Sequence, residues 1–235
     1  MTHQRHAAPV HGTKGFTLIE LLMVVLIISI LMAILMPVII HVMRTMTVVK
    51  SQQRVTSLAN GAVAFFKDNG VYPGQSDLPA TWGTGLNLGF NDLKTKLNAG
   101  TLTGSQVLAR ALFSDVDGSG FPRGNYAQYQ AGETLPVPGI AGKDYTIGDC
   151  WPKGQTMALC YYPARIGETG VAMFHEADNT AYTTGNITSG KTFATAITHP
   201  AMAGTPVKAN QFIIIGPGLD RTYFGPDDVS NFSAQ

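Results

Sequence analysis

Hydrophobic positions along the chain fall into three regimes. From Phe16 to Val42 the only polar side chains are Thr17, Glu20, Ser29 and His41, and Leu21 to Ile40 carries no charge. A helical run of this length and composition spans a bilayer. Pro37 lies inside it and is expected to kink the helix or melt it locally, because it lacks a backbone donor. Beyond it Val48, Val55, Leu58, Ala62 and Phe65 recur at helical spacing, with Lys50, Gln52, Gln53 and Arg54 between them. That pattern predicts an amphipathic helix packed along one face, ending near Lys67-Asp68-Asn69-Gly70. If continuous from Phe16 to Asp68, the helix is about 80 Å long.

The third regime starts after Tyr72-Pro73-Gly74, where short apolar segments alternate with Gly and Pro. Leu93, Leu97, Val107, Leu108, Ala111 and Leu112 predict one or two short helices within residues 86–114. Ala158 to Tyr162, Val171 to Phe174 and Gln211 to Ile215 predict strands, the last a β-branched run closed by Gly216-Pro217-Gly218. No repeat of 20–50 residues is evident, which argues against a solenoid or propeller. The expected fold class is α+β: a long N-terminal stem helix over 16–68 and a head over 69–235 built on a small antiparallel sheet.

Composition narrows the function classes. Of 235 residues 45% are apolar, which excludes a disordered chain, and 26 Gly with 13 Pro indicate a loop-rich head. The net charge is +1, and residues 61–235 hold 11 basic against 14 acidic side chains. A mildly acidic head disfavours a nucleic-acid partner.

Residues 1–15 are polar, with Arg5, Lys14 and three His, like the start of a secretory signal. The apolar run that follows is much longer than such a signal's core of about 7–15 residues, and no small-residue cleavage site follows it. The junction Lys14-Gly15-Phe16-Thr17-Leu18-Ile19-Glu20 instead resembles the processing site of the type IV prepilin family. The resemblance implies a cytoplasmic leader, 1–15, cut between Gly15 and Phe16 by a prepilin peptidase that also methylates the new amino group of Phe16. Glycine at the cut suits close backbone approach by a protease.

Glu20 is out of place in an ordinary anchor, where a carboxylate costs about 2.5–3.5 kcal/mol on insertion scales. Its position in the first helical turn recovers only about 0.3–1 kcal/mol from the helix dipole. The resemblance implies the remainder: Glu20 compensates the terminal amine of a neighbouring subunit. Basic residues lie on both sides of the span, so charge counting leaves orientation open. The processing motif places the N-terminus in the cytoplasm and the head outside it.

For an extracytoplasmic head, Cys150 and Cys160, separated by nine residues, suggest a disulfide, with two buried free thiols as the alternative. Their spacing supports neither a redox centre nor zinc. Asp115-Val116-Asp117-Gly118-Ser119-Gly120 opens like a calcium loop, but Tyr126 stands where an EF-hand needs glutamate, so it reads as an Asx turn. His175-Glu176-Ala177-Asp178-Asn179 fails as a zinc motif at Asn179, leaving His175 as a surface or turn histidine. Tyr161, Tyr162, Tyr182 and Trp151 are candidate sugar-binding aromatics, but a core role suffices for most of them.

The stretch from Gly216 to Val229 resembles the terminal calcium loop of major pseudopilins of type II secretion, which pair a Gly-x-Asp with an Asp seven residues later, as Asp220 and Asp227 do here. The resemblance implies one bound Ca²⁺, with Asp228 as an alternate ligand. Gly225-Pro226 departs from the usual Gly-Thr, and the head is longer than is typical for that group.

The functional expectation is a filament subunit rather than an enzyme: a pilus-like or pseudopilus component that assembles with itself or other pilin-like subunits. Its implied partners are the prepilin peptidase, an inner-membrane assembly platform and the membrane. It resides in the inner membrane before assembly, then in a periplasmic pseudopilus or surface pilus. The alternative is a membrane-anchored adhesin, carbohydrate-binding or enzymatic head using the same leader.

Overall fold

The computed structural model describes residues 15–76, 93–113, 126–127, 134–136, 145–152 and 154–232. The leader before Gly15 and the Asp115–Gly120 turn lie outside them. Helix α1 runs over Leu18–Asn69 with Pro37 inside it. Melting at the proline is not observed: the helix carries on through it, losing only the bond that the missing N–H would have donated.

By compactness the chain divides after Met43. In the first unit the apolar side chains are open, with Leu21 62%, Leu26 55% and Ile34 63% exposed. Among the described residues α1 is the one helix long and apolar enough to cross a membrane.

The second unit begins at Arg44 and takes in the lower half of α1, because there the predicted stripe is covered. Val55, Leu58, Ala62 and Phe65 are buried, and Val48 packs against the same core. Gly61 continues the stripe, and a Cβ there would stand 2.8 Å from the Tyr126 carbonyl. The helix stops as expected: Gly70 takes a left-handed φ of 74° while its N–H donates to the Phe66 carbonyl.

Two short helices follow, α2 over Leu93–Asn98 and α3 over Gly104–Leu112, the latter opened by a capping box between Thr103 and Gln106. Strands β1 (Thr134–Pro136) and β2 (Tyr145–Ile147) pair antiparallel. The main sheet is antiparallel, ordered β3-β4-β5, from Cys160–Pro163, Phe212–Gly216 and Val229–Ser230. Together with α1 it makes the α+β pilin-like arrangement that the sequence implies.

Alternation along β3 separates two cores. Leu159 and Tyr161 join the cluster on the stem, whereas Cys160 and Tyr162 face a second cluster with Phe193, Ile213, Tyr223 and Phe224. Two small helices, α4 over Thr180–Thr183 and α5 over Phe193–Ile197, follow β3, and α5 feeds that second cluster. Residues 170–173 form a 3₁₀ turn, not the predicted strand. Gly170 enters it at φ 61°, and the Phe174 N–H closes back on the Val171 carbonyl, so the apolar run buries one side of a turn.

The edge of the sheet is tied to the stem. The Gln52 side chain donates to the Ser230 carbonyl at 2.7 Å and accepts from the Ser230 N–H at 3.2 Å, copying the two bonds of a strand partner.

Candidate functional site

Two regions carry the predicted site residues. At the N-terminus, Gly15 has no heavy atom near its α-carbon substituent position and Phe16 is 80% exposed, so the junction is open. Thr17 caps α1. Its Oγ1 accepts from the Glu20 N–H at 3.3 Å, while Oε2 of Glu20 accepts from the Thr17 N–H at 2.9 Å and the Thr17 hydroxyl at 2.8 Å. This is a capping box, with Glu20 at its third helical position. Glu20 therefore has a local task in helix initiation, signalled by the T-x-x-E spacing ahead of the apolar run.

The second region is the loop between β4 and β5, residues 217–228. Its two central aromatics anchor it. Tyr223 is fully buried, donating through its hydroxyl to the Ala158 carbonyl at 2.8 Å, and Phe224 packs on Phe193. Burial pushes the Cys160 thiol up to about 12, an inert group, although hydrogen bonds with Tyr223 and Tyr162 pull the other way.

Anchoring turns three carboxylates toward each other. Asp220, Asp227 and Asp228 each offer an oxygen within 4.8 Å of the other two. Asp227 Oδ2 accepts from the N–H groups of Leu219 at 2.7 Å and Asp220 at 3.2 Å. The Asp220 oxygens take the N–H and hydroxyl of Thr222 at 2.8 and 2.7 Å. Asp228 Oδ2 accepts from the Phe224 N–H at 2.6 Å, while its Oδ1 is buried with no partner among the described residues. Burial, reinforced by the charges of Asp227 and Asp220, raises Asp228 to about 7, although backbone N–H groups of Phe224 and Gly225 pull the other way.

This donor set fits calcium. Oxygens at 2.3–2.6 Å from one ion lie within about 5 Å of each other. A divalent cation would relieve both the orphaned Asp228 oxygen and the mutual repulsion. Gly218 and Gly225 keep the approach open, since a Cβ on Gly218 would stand 2.2 Å from the Asp227 carbonyl and one on Gly225 2.9 Å from the Thr188 hydroxyl.

The neighbouring Arg221, missed by the sequence reading, faces elsewhere. With φ at 62° it reaches Asp149 Oδ2 at 2.6 Å and the Gln155 carbonyl, and lies 4.5 Å from the Trp151 ring. The loop is thereby latched onto the 149–157 turn, whose Asp149 is buried and fixed by the N–H groups of Trp151 and Met157.

The expected Cys150–Cys160 bridge is not formed, and both thiols are free. Cys160 belongs to the cluster on the face away from the stem, whereas the Cys150 backbone N–H is held to the stem by Ser51 Oγ at 3.0 Å. Tyr161 and Tyr162 are core residues, Tyr161 donating to the Pro73 carbonyl at 2.8 Å. His175 is a surface residue whose Nε2 lies 2.9 Å from Glu168 Oε2.

A family model described as the prokaryotic N-terminal methylation motif matches residues 11–36, which span the open junction, the capping box and most of the uncovered apolar helix. The chain carries a type IV pilin or pseudopilin leader. No curated protein and no solved structure matches the chain at a significant level. The pilin-like leader and an anchor-length helix fit membrane attachment before assembly.

Proposed function

We propose that the chain is a structural subunit of a type IV pilus-like or type II secretion pseudopilus filament, cut between Gly15 and Phe16 by a prepilin peptidase and methylated on Phe16. The observation that carries this reading is the methylation motif set directly on an apolar helix that no described residue of its own unit covers. An uncovered apolar surface of that extent requires lipid or like helices around it. Such a chain needs no catalytic centre, because its work is to pack.

Glu20 supplies the specificity. Both of its capping bonds fall on Oε2, which supports a role for the carboxylate beyond its own helix: accepting the terminal amine of a neighbouring subunit. The head stands outside the cytoplasm and coats the filament. Its acidic loop holds one Ca²⁺ through Asp220, Asp227 and Asp228, and the ion would supply positive charge that fastens the β4–β5 loop.

The test is Glu20→Ala, with intact-mass analysis of the membrane fraction and filament yield read together. The mature chain is expected to begin at N-methylated Phe16 in both proteins, with filaments lost only in the variant. A product beginning at Met1 refutes processing. Normal filaments from the variant refute the assembly role and leave Glu20 as a cap.

A further inference from the structure

One turn of the β4–β5 loop serves two sides of the head. The Asp220 oxygens take the N–H and hydroxyl of Thr222 at 2.8 and 2.7 Å, closing the backbone tightly around Arg221. Arg221 stands between them with φ at 62°, a left-handed conformation that residues other than glycine rarely adopt. Held so, the neighbouring side chains part: Asp220 joins the carboxylates of Asp227 and Asp228, and Arg221 crosses to Asp149. Asp149 depends on that contact. Its side chain is 0% exposed, with Oδ1 met by the N–H groups of Trp151 and Met157 at 3.2 and 3.1 Å. Oδ2 has Arg221 Nη1, at 2.6 Å, as its one partner among the described residues. A buried carboxylate that loses its cation is strongly destabilising, so the 149–157 turn stays closed only while Arg221 is docked. On its far side the turn is fastened to the stem, the Cys150 N–H donating to Ser51 Oγ at 3.0 Å.

We propose that Arg221 is a positioning residue that couples the carboxylate cluster to the joint between head and stem. Ca²⁺ in the cluster fixes the Asp220–Thr222 turn, and the fixed turn keeps Arg221 on Asp149 and beside the Trp151 ring, 4.5 Å from its centre. The inference rests on the Ca²⁺ reading of the loop given above and adds a mechanical consequence to it. Without a cation, three carboxylates within 4.8 Å of one another repel, and the loop gains by splaying. Turning Asp220 outward withdraws Arg221 as well, because both hang on one backbone conformation. The next part of the loop is held by pairing that needs no ion: the Thr188 N–H donates to the Tyr223 carbonyl at 2.9 Å and the Tyr223 N–H to the Asn186 carbonyl at 2.7 Å. Movement is therefore confined to residues 217–222 and passes through Arg221 to the 149–157 turn, and from there to Ser51. Such coupling is reciprocal, so the docked arginine in turn tightens the hold on Ca²⁺.

The chain has two tryptophans, so Trp82→Phe leaves Trp151 as the sole reporter. The full-length chain with that change, in nanodiscs without anionic lipid, is to be titrated with calcium chloride after chelation. Trp151 emission, calorimetric heat and hydrogen exchange at the Cys150 amide are followed together. Emission is expected to shift with a midpoint at the calorimetric Kd, and Cys150 exchange to slow by about fivefold or more. Arg221→Gly with Asp149→Asn removes the latch without stranding a charge, and glycine suits the left-handed position. This variant is expected to bind Ca²⁺ and to lose both responses. Arg221→Lys keeps a charge near the carboxylates but not the planar fork, and is expected to weaken Ca²⁺ binding about fivefold. Calcium heat with unmoved Trp151 emission and unchanged Cys150 exchange overturns the coupling while the metal site stands, and this outcome needs no Arg221 variant to fold. Responses that survive in the double variant overturn the role of Arg221, and wild-type affinity in Arg221→Lys overturns the reciprocity. No calcium heat at millimolar concentration removes the Ca²⁺ reading itself, and the coupling falls with it.

Discussion

Removing one member of the Arg165–Asp178 ion pair, Nη2 to Oδ1 at 2.7 Å and almost wholly buried, should damage the head far more than removing both. Desolvation raises Asp178 to about 6 despite the opposing charges of Arg165 and His175. The folded chain therefore keeps a proton that the unfolded chain has lost between the ordinary value of 3.8 and about 6. Stability must fall as pH rises across that window and level off above it. Roughly two pH units at about 1.4 kcal/mol each make this a loss of about 3 kcal/mol by pH 7. Asp178→Leu removes the loss but strands the Arg165 guanidinium, and stranding a buried charge costs about 3–5 kcal/mol. The double variant Arg165→Met with Asp178→Leu escapes both penalties and is expected within about 1.5 kcal/mol of wild type at neutral pH. Denaturant melts of the full-length chain, followed by tryptophan fluorescence from pH 4 to 8, provide the assay. The decisive quantity is the difference between wild type and Asp178→Leu, because other carboxylates cancel in it. Equal slopes between pH 4 and 6, or a double variant as unstable as the sum of the single ones, would refute the reasoning.

Three further outcomes follow from the geometry. Calcium at a hundredfold excess over Kd should stabilise the chain by about 2.7 kcal/mol, seen as a higher Tm, and Asp220→Ala with Asp227→Ala should erase the rise; identical melts in chelator and calcium would dismiss the metal. Gly104→Ala should cost about 3 kcal/mol or more, because its Cβ would stand 1.8 Å from the Tyr161 carbonyl that Asn179 also uses, and a thermal melt within a degree of wild type would contradict that. Gln52→Leu should cost about 1–3 kcal/mol by leaving the Ser230 N–H and carbonyl unpaired, with faster amide exchange at Ser230 as the local sign.

The parts legible in the sequence are those with a one-dimensional period. Leu21 to Ile40 needs only length and the absence of charge to be read, and Val55, Leu58, Ala62 and Phe65 need only the helical repeat. Val171 to Phe174 was beyond that method, since four apolar residues suit a strand or a one-sided turn equally and Gly170 decided the matter through its backbone. Separation along the chain says nothing of which face a residue takes: Cys150 and Cys160 invited a bridge, but both are free, and alternation along β3 turns Cys160 into the cluster away from the stem. Arg165 and Asp178 were invisible because charged residues are ordinarily assigned to the surface. Thr17 was readable but was passed over, its spacing to Glu20 being the sequence mark of a capping box.

The bond from Gln52 to Ser230 joins residues 178 positions apart, and it sets a timetable for synthesis. The central strand β4 and its neighbour β5 come after the stem and β3 along the chain, so the ribosome has made both of those before the main sheet exists. Until then the stripe of Val55, Leu58 and Phe65 lacks the strand whose Phe212 and Ile214 share its core. A chain stopped short of Val229 keeps an open edge on β4 and a stem glutamine without its partner, both of which invite aggregation or proteolysis. Closure of the head thus acts as a proofreading step for translation: only a molecule made through Val229–Ser230 seals itself.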